Sequence, residues 1–270
     1  VKFIIPILIV LIVGCEEGGM AHRNSRYASL EAVPKAGWDS LACKSIFFGH
    51  QSVGRNIVDG IRDVMRLYPD IRLNVRETAS PEDFDGAVFA HWPIGENKDP
   101  RSKIDHFRRI LESGVGRRAD MAFFKLCYVD VGGDTDVEAV FHYYEETVRS
   151  LEKEFPNLKI VTVTVPLTTR PAGLKARISE MRGRTLWSEE DNIKRNVLNG
   201  MLRKEFGASV FDLAGFESSS SGGGKTSFKK DGETYYILNH AYSDDGGHLN
   251  KTGRSVIAAE MLAFLAGTSR

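Results

Sequence analysis

The chain has 270 residues, with 36 basic and 36 acidic side chains and a formal net charge of zero. That balance, with no basic stripe anywhere along the chain, argues against nucleic acid as a partner. Apolar residues make up 42% and charged residues 27%, which permits a sizeable core in one large domain or two small ones.

Lys2 precedes an apolar run from Phe3 to Val13 that ends in Gly14-Cys15. Such a run has the length of a signal-peptide core and is short for a membrane span. Ile12-Val-Gly-Cys15 resembles a bacterial lipobox. Residues 1–14 are therefore read as a lipoprotein signal peptide. Cys15 is the expected lipidated residue, holding the protein on a membrane of the bacterial cell envelope, at the periplasmic or outer surface. Residues 15–40 are polar and small, which predicts a tether; the folded domain is expected over 41–270. Cys43 and Cys127 are read as buried small hydrophobes at opposite ends of two strands, too far apart to form a disulfide.

The short apolar run from Cys43 to Gly49 predicts a first strand. Val53, Ile57, Ile61 and Val64 then recur at helical spacing, so a helix is expected from Ser52 to Leu67. Ile71–Val75 alternates and reads as a second strand. An irregular segment containing His91-Trp-Pro-Ile-Gly95-Glu-Asn97 follows, then a helix over Lys103–Leu111. Met121–Val131 is nearly continuous in apolar residues, as a strand buried on both faces would be. Further helices are expected over Val137–Phe155, Asn192–Phe206 and Val256–Leu265, and further strands over Lys159–Val165 and Ala208–Leu213. Asp231-Gly232, flanked by Phe228 and Tyr235-Tyr236, predicts a small hairpin. Strands alternating with helices imply an α/β fold: a three-layer, doubly wound sheet of about five parallel strands. Ligands bind such sheets at the carboxyl ends of the strands.

Two segments carry chemistry. Asp245-Gly-Gly-His248 puts a carboxylate three residues before an imidazole, so one tight turn can bring them together. The acid would set the ring's tautomer, making His248 a general base. Far upstream, Ser52 lies where a strand turns into a helix; its N–H lacks a helical partner, and the helix dipole favours negative charge there. His50-Gln-Ser52-Val-Gly54 also differs by one residue from a nucleophile elbow, but that motif belongs to folds in which several strands precede the Ser. His50 and His91 lack the i, i+4 spacing of a helical metal pair, and no catalytic metal is expected.

Ser52 after the first strand, with Asp-x-x-His and Leu249-Asn250-x-x-Gly253 before the last helix, resembles the SGNH or GDSL-type esterase and lipase superfamily. The resemblance spans about residues 43–266. It implies a flavodoxin-like SGNH hydrolase fold and a serine esterase without cofactor or metal, using Ser52, His248 and Asp245 as its triad. The family's oxyanion donors, besides the Ser N–H, are a Gly after the second strand and an Asn after the third. Gly95 matches the former in location. At the latter this chain has Cys127-Tyr128-Val129-Asp130, so Asn97 is the candidate replacement. Asp130, Trp92 and Tyr128 are candidate substrate contacts. The implied substrate is a small acyl ester, such as an O-acetyl group, or an acylated glycan. The alternatives are an O-acyltransferase acting on envelope glycans and a non-catalytic binding protein on the same fold.

Overall fold

The computed structural model describes residues 27–170, 189–220 and 223–268. Its centre is a six-stranded, all-parallel sheet: β1 (Ser45–His50), β2 (Val75–Glu77), β3 (Val88–Pro93), β4 (Met121–Phe124), β5 (Lys159–Val163) and β6 (Val210–Phe211). The order across the sheet is β2-β3-β1-β4-β5-β6. Without the edge strand β2, this is the flavodoxin-like order of a doubly wound sheet. Six strands replace the expected five because Val88–Pro93 lies inside the segment read as irregular. Its His and its Trp-Pro ending break any apolar period, yet β1 pairs with it throughout, from Ser45 opposite Val88 to His50 opposite Pro93. The second strand also starts later than Ile71–Val75, and β4 ends at Phe124.

Both sheet faces are covered, which is why β1 and β4 are buried at every position. On one face lie α3 (Ser52–Leu67) and α8 (Lys251–Thr268), with the short α1 (Ala28–Glu31), α2 (Lys35–Leu41) and α7 (Leu213–Ser218); their core includes Phe48, Ile57, Phe123, Ile257 and Leu262. On the other lie α4 (Pro100–Glu112), α5 (Val137–Glu154) and α6 (Glu189–Phe206), packed on Phe47, Phe107, Phe124 and Tyr144. The helices obey local rules. In α4, Pro100 takes the first position, and Asp99 caps by accepting from the Ser102 N–H. α3 stops before Tyr68-Pro69, because the residue preceding proline avoids helical dihedrals.

The hairpin is present as β7 (Ser227–Lys230) and β8 (Glu233–Tyr236). Asp231 and Gly232 both take positive φ, 53° and 86°, as a two-residue primed turn demands.

Two boundary expectations need correction. The folded part begins by Tyr27 rather than at 41: Leu30, Trp38 and Leu41 are buried in the core, and Gly37 lies against Ala266. The polar residues of 27–40 had concealed one buried side chain per helical turn. Cys43 is exposed, standing in the turn before β1, while Cys127 is buried; both are free thiols. The segment expected to be a signal peptide, Cys15 and the rest of residues 15–26 lie outside the described residues. No helix among the described residues is long and apolar enough to cross a membrane.

Candidate active site

In the sheet, the chain leaves β1 toward β2 and β3 on one side, while β4 lies on the other. The loops after β1 and β4 therefore part at a topological switch point, where α/β sheets open a crevice. Ser52 follows β1 and Tyr128 follows β4.

Gln51 is extended and Ser52 is the first residue of α3. The helix starts hard against β1: a Cβ on Gly54 would come within 2.3 Å of the His50 Cβ, so only glycine fits there. The Gln51 amide donates to the carbonyls of Ile94 and Gly95 at 3.0 and 2.9 Å, tying the loop after β3 to the residue before Ser52. Beneath them, the ring nitrogens of His50 and His91 meet at 3.1 Å. The Gln51 carbonyl contacts the second ring nitrogen of His50 at 3.1 Å, and the Arg62 guanidinium contacts that of His91 at 3.4 Å. One neutral tautomer chain satisfies all three contacts. Burial is the main cause lowering both rings, His50 to about 3 and His91 to about 4. Among the described residues no third His, Cys, Asp or Glu makes them a metal-binding group.

The expected acid–base pair is formed. Asp245 Oδ2 holds His248 Nδ1 at 2.6 Å, and Asp245 Oδ1 accepts from the N–H groups of Gly247 and His248 at 2.9 and 2.8 Å. Burial works against the Asp245 charge, but the Gly247 N–H and then the His248 ring and N–H outweigh it, holding the carboxyl at about 2. The ionised Asp245 carboxylate can only accept, so Nδ1 of His248 carries the proton between them. The turn is fastened to the Ser52 helix by the Leu249 N–H, which donates to Asn56 Oδ1 at 3.2 Å. Asn56 lies one helical turn after Ser52, on the same face. No hydrogen bond joins Ser52 to His248; instead the Tyr128 hydroxyl stands 3.4 Å from Nε2.

Three expected roles change. Gly95 takes φ +53° and turns its N–H onto α4, donating to His106 Nδ1 at 3.0 Å, so that N–H does not face an oxyanion. Asn97 is exposed and accepts from Lys103 Nζ at 3.1 Å; no contact with Ser52 or His248 is present. Asp130 is not a substrate contact. Its buried carboxylate is fully used by Lys103 Nζ at 2.7 Å from each oxygen, the Cys127 N–H at 2.6 Å and the Lys98 N–H at 2.8 Å. Trp92 is 37% exposed at the carboxyl end of β3.

Tyr128 was expected to touch substrate, and the residue is buried, 4% exposed. It stands edge-on to His248, with ring centres 5.7 Å apart, and packs on Gly247, where a Cβ would lie 2.8 Å from Cζ. Buried Arg195 of α6 donates from Nε to the Tyr128 and Val131 carbonyls at 2.9 and 3.0 Å, which sets the turn that presents Tyr128. Asn56 and Arg195 were not singled out from sequence. Both look like ordinary polar helix positions until their partners, 193 and 67 residues away, are in place.

No family sequence profile matches the chain, and no curated protein matches it. Solved structures resemble it at low identity. One, described as a platelet activating factor from Streptococcus pneumonia, is 15% identical with TM-score 0.49, covering 82% of this chain and 83% of its own. Another, described as a GDSL-like lipase from Parabacteroides merdae, is 13% identical with TM-score 0.49, covering 84% and 96%. The periplasmic domain of a lipopolysaccharide acetyltransferase from Salmonella ser. Paratyphi A is 12% identical with TM-score 0.41, covering 79% and 80%. The architecture is a doubly wound α/β fold of flavodoxin-like strand order. The strand order carries that statement, with Ser52 opening the helix after β1 and the Asp245–His248 turn preceding α8.

Proposed function

We propose that the protein is a serine esterase. Ser52 Oγ attacks the ester carbonyl, and His248 Nε2 takes its proton and returns it to the leaving alcohol. Water then releases the acid from the acyl-enzyme by the same route. Asp245 holds the imidazole tautomer and stabilises the imidazolium. The Ser52 N–H, at the first position of α3, donates to the oxyanion. Substrates are small acyl esters of carbohydrate, and exposed Trp92 on the same rim offers a face to a sugar ring. The enzyme acts at the cell envelope, anchored through Cys15.

The single supporting observation is the Asp245–His248 couple, pinned by Leu249 to Asn56, one turn from Ser52. A fluorophosphonate probe read by intact mass tests it. The wild-type chain should gain one adduct, and Ser52→Ala and His248→Ala should gain none. Both variants should also bring p-nitrophenyl acetate turnover to background while keeping the wild-type circular dichroism spectrum. The absence of a Ser52–His248 hydrogen bond favours a second reading, a binding protein on this fold. A folded wild-type chain that takes no adduct and shows no turnover selects it.

A further inference from the structure

Resting on that hydrolase reading, we propose that the Tyr128 hydroxyl is a catalytic oxyanion donor, standing where the family's Asn is absent. Two of the donors expected from sequence are not available for that role. The Gly95 N–H is turned onto His106, and Asn97, exposed and held through its amide oxygen by Lys103, makes no contact with Ser52 or His248. The Tyr128 hydroxyl is the side-chain group at the working nitrogen of His248, 3.4 Å from Nε2. It comes from the loop across the switch point from Ser52.

The exchange of protons explains why this contact belongs to the transition state. With a neutral ring Nε2 is an acceptor, and the Tyr128 hydroxyl, 3.4 Å away, is the group that donates toward it. On attack, the Ser52 Oγ–carbon bond forms, the carbonyl π pair moves onto oxygen, and the Oγ proton passes to Nε2. Nε2–H is now a donor, so it no longer accepts from Tyr128 in the step that creates the oxyanion. Its proton turns to the oxyanion as a hydrogen bond and is not transferred. When the carbonyl re-forms, the C–O bond to the alcohol breaks and the alcohol takes the Nε2 proton. Tyr128 then returns to Nε2. An interaction absent in the ground state and present at the transition state lowers the barrier without tightening substrate binding. Burial first, and then the Asp245 charge, raise the Tyr128 phenol to about 12, which keeps it protonated as a donor at neutral pH. Arg195 fixes the turn, so the ring is placed before substrate arrives.

The experiment compares wild type with Tyr128→Phe, which keeps the ring and deletes only the hydroxyl. Turnover of p-nitrophenyl acetate should fall about 100- to 1,000-fold in kcat with KM nearly unchanged. Affinity for a trifluoromethyl ketone, which forms a tetrahedral oxyanion on Ser52, should fall by a similar factor. A crystal structure of the wild-type adduct should place Tyr128 Oη about 2.7–3.1 Å from that oxyanion, and it decides the matter even if the variant folds poorly. An active wild type whose Tyr128→Phe variant keeps its kcat overturns this inference alone, as does an adduct with Tyr128 still on Nε2. A wild type that neither labels nor turns over overturns the esterase reading, and this inference with it.

Discussion

Asp130 and Asp245 are both carboxylates in loops at the carboxyl end of the sheet, and their neighbours divide their roles. Asp130 is sealed with Lys103 and two backbone N–H groups, so it anchors the loops after β3 and β4 to each other. Asp245 stays partly in water and gives one oxygen to the His248 ring, the pairing that the proposed mechanism uses. Glu217 shows a third outcome. One of its oxygens accepts from the Leu167 N–H at 2.7 Å, and the other is buried without a hydrogen-bond partner. Burial, only partly offset by that N–H, raises its carboxyl to about 8. The unfolded chain loses this proton near the ordinary carboxylate value and the folded chain near 8, so the group lowers stability as pH rises between those values and leaves it unaffected below them. Glu217→Gln keeps an acceptor for Leu167 and removes the titration. Urea unfolding from pH 4.5 to 8 should show the variant gaining on wild type as pH rises, by on the order of 1–3 kcal/mol. A difference that stays constant across that range would rule out a titrating Glu217.

Between elements, the decisive contact is the crossing of α3 and α8, because these two helices carry Ser52 and follow His248. A Cβ on Gly60 would lie 2.2 Å from the Arg254 carbonyl oxygen, so the helices approach at a distance only glycine permits. Arg254 locks the crossing through Asp63 at 2.7 Å. Gly60→Ala should push α8 outward, costing about 1–3 kcal/mol as overpacking does. It should also loosen the Leu249–Asn56 tie, so kcat should fall several-fold at a temperature where the variant remains folded. Unchanged unfolding midpoint and kcat would mean that the crossing does not govern the site. Legibility differed among the elements for a physical reason. Helices α3 and α5 repeat apolar residues every turn and announce themselves. Strand β3 hides because His91 is made compatible with burial by partners from other elements, His50 of β1 and Arg62 of α3.

For the whole molecule, the packing of residues 27–41 matters for any truncated chain. Leu30, Trp38 and Leu41 bury their side chains against α3 and α8, each worth at most about 1.5–3 kcal/mol. A chain starting at Tyr27 should keep the fold and the esterase activity while leaving the membrane fraction, since the proposed anchor at Cys15 is gone. One starting at Lys44 should melt about 10 °C lower or more. Equal melting temperatures would return residues 27–41 to the status of a tether, and membrane partitioning by the Tyr27 chain would remove the anchor.

The α/β class, the place of Ser52 at a strand-to-helix turn and the Asp245–His248 pairing were legible in the chain itself. Each rests on local physics: apolar periodicity, a helix start, and a turn three residues long. The sixth strand, the loss of Gly95 to His106, the burial of Asp130 on Lys103 and the approach of Tyr128 to His248 were decided only by the tertiary structure. In each case the deciding partner comes from another element, from 11 residues away for Gly95 to 120 for Tyr128. A buried polar group takes the partner that packing delivers, and sequence spacing carries no record of which one that will be.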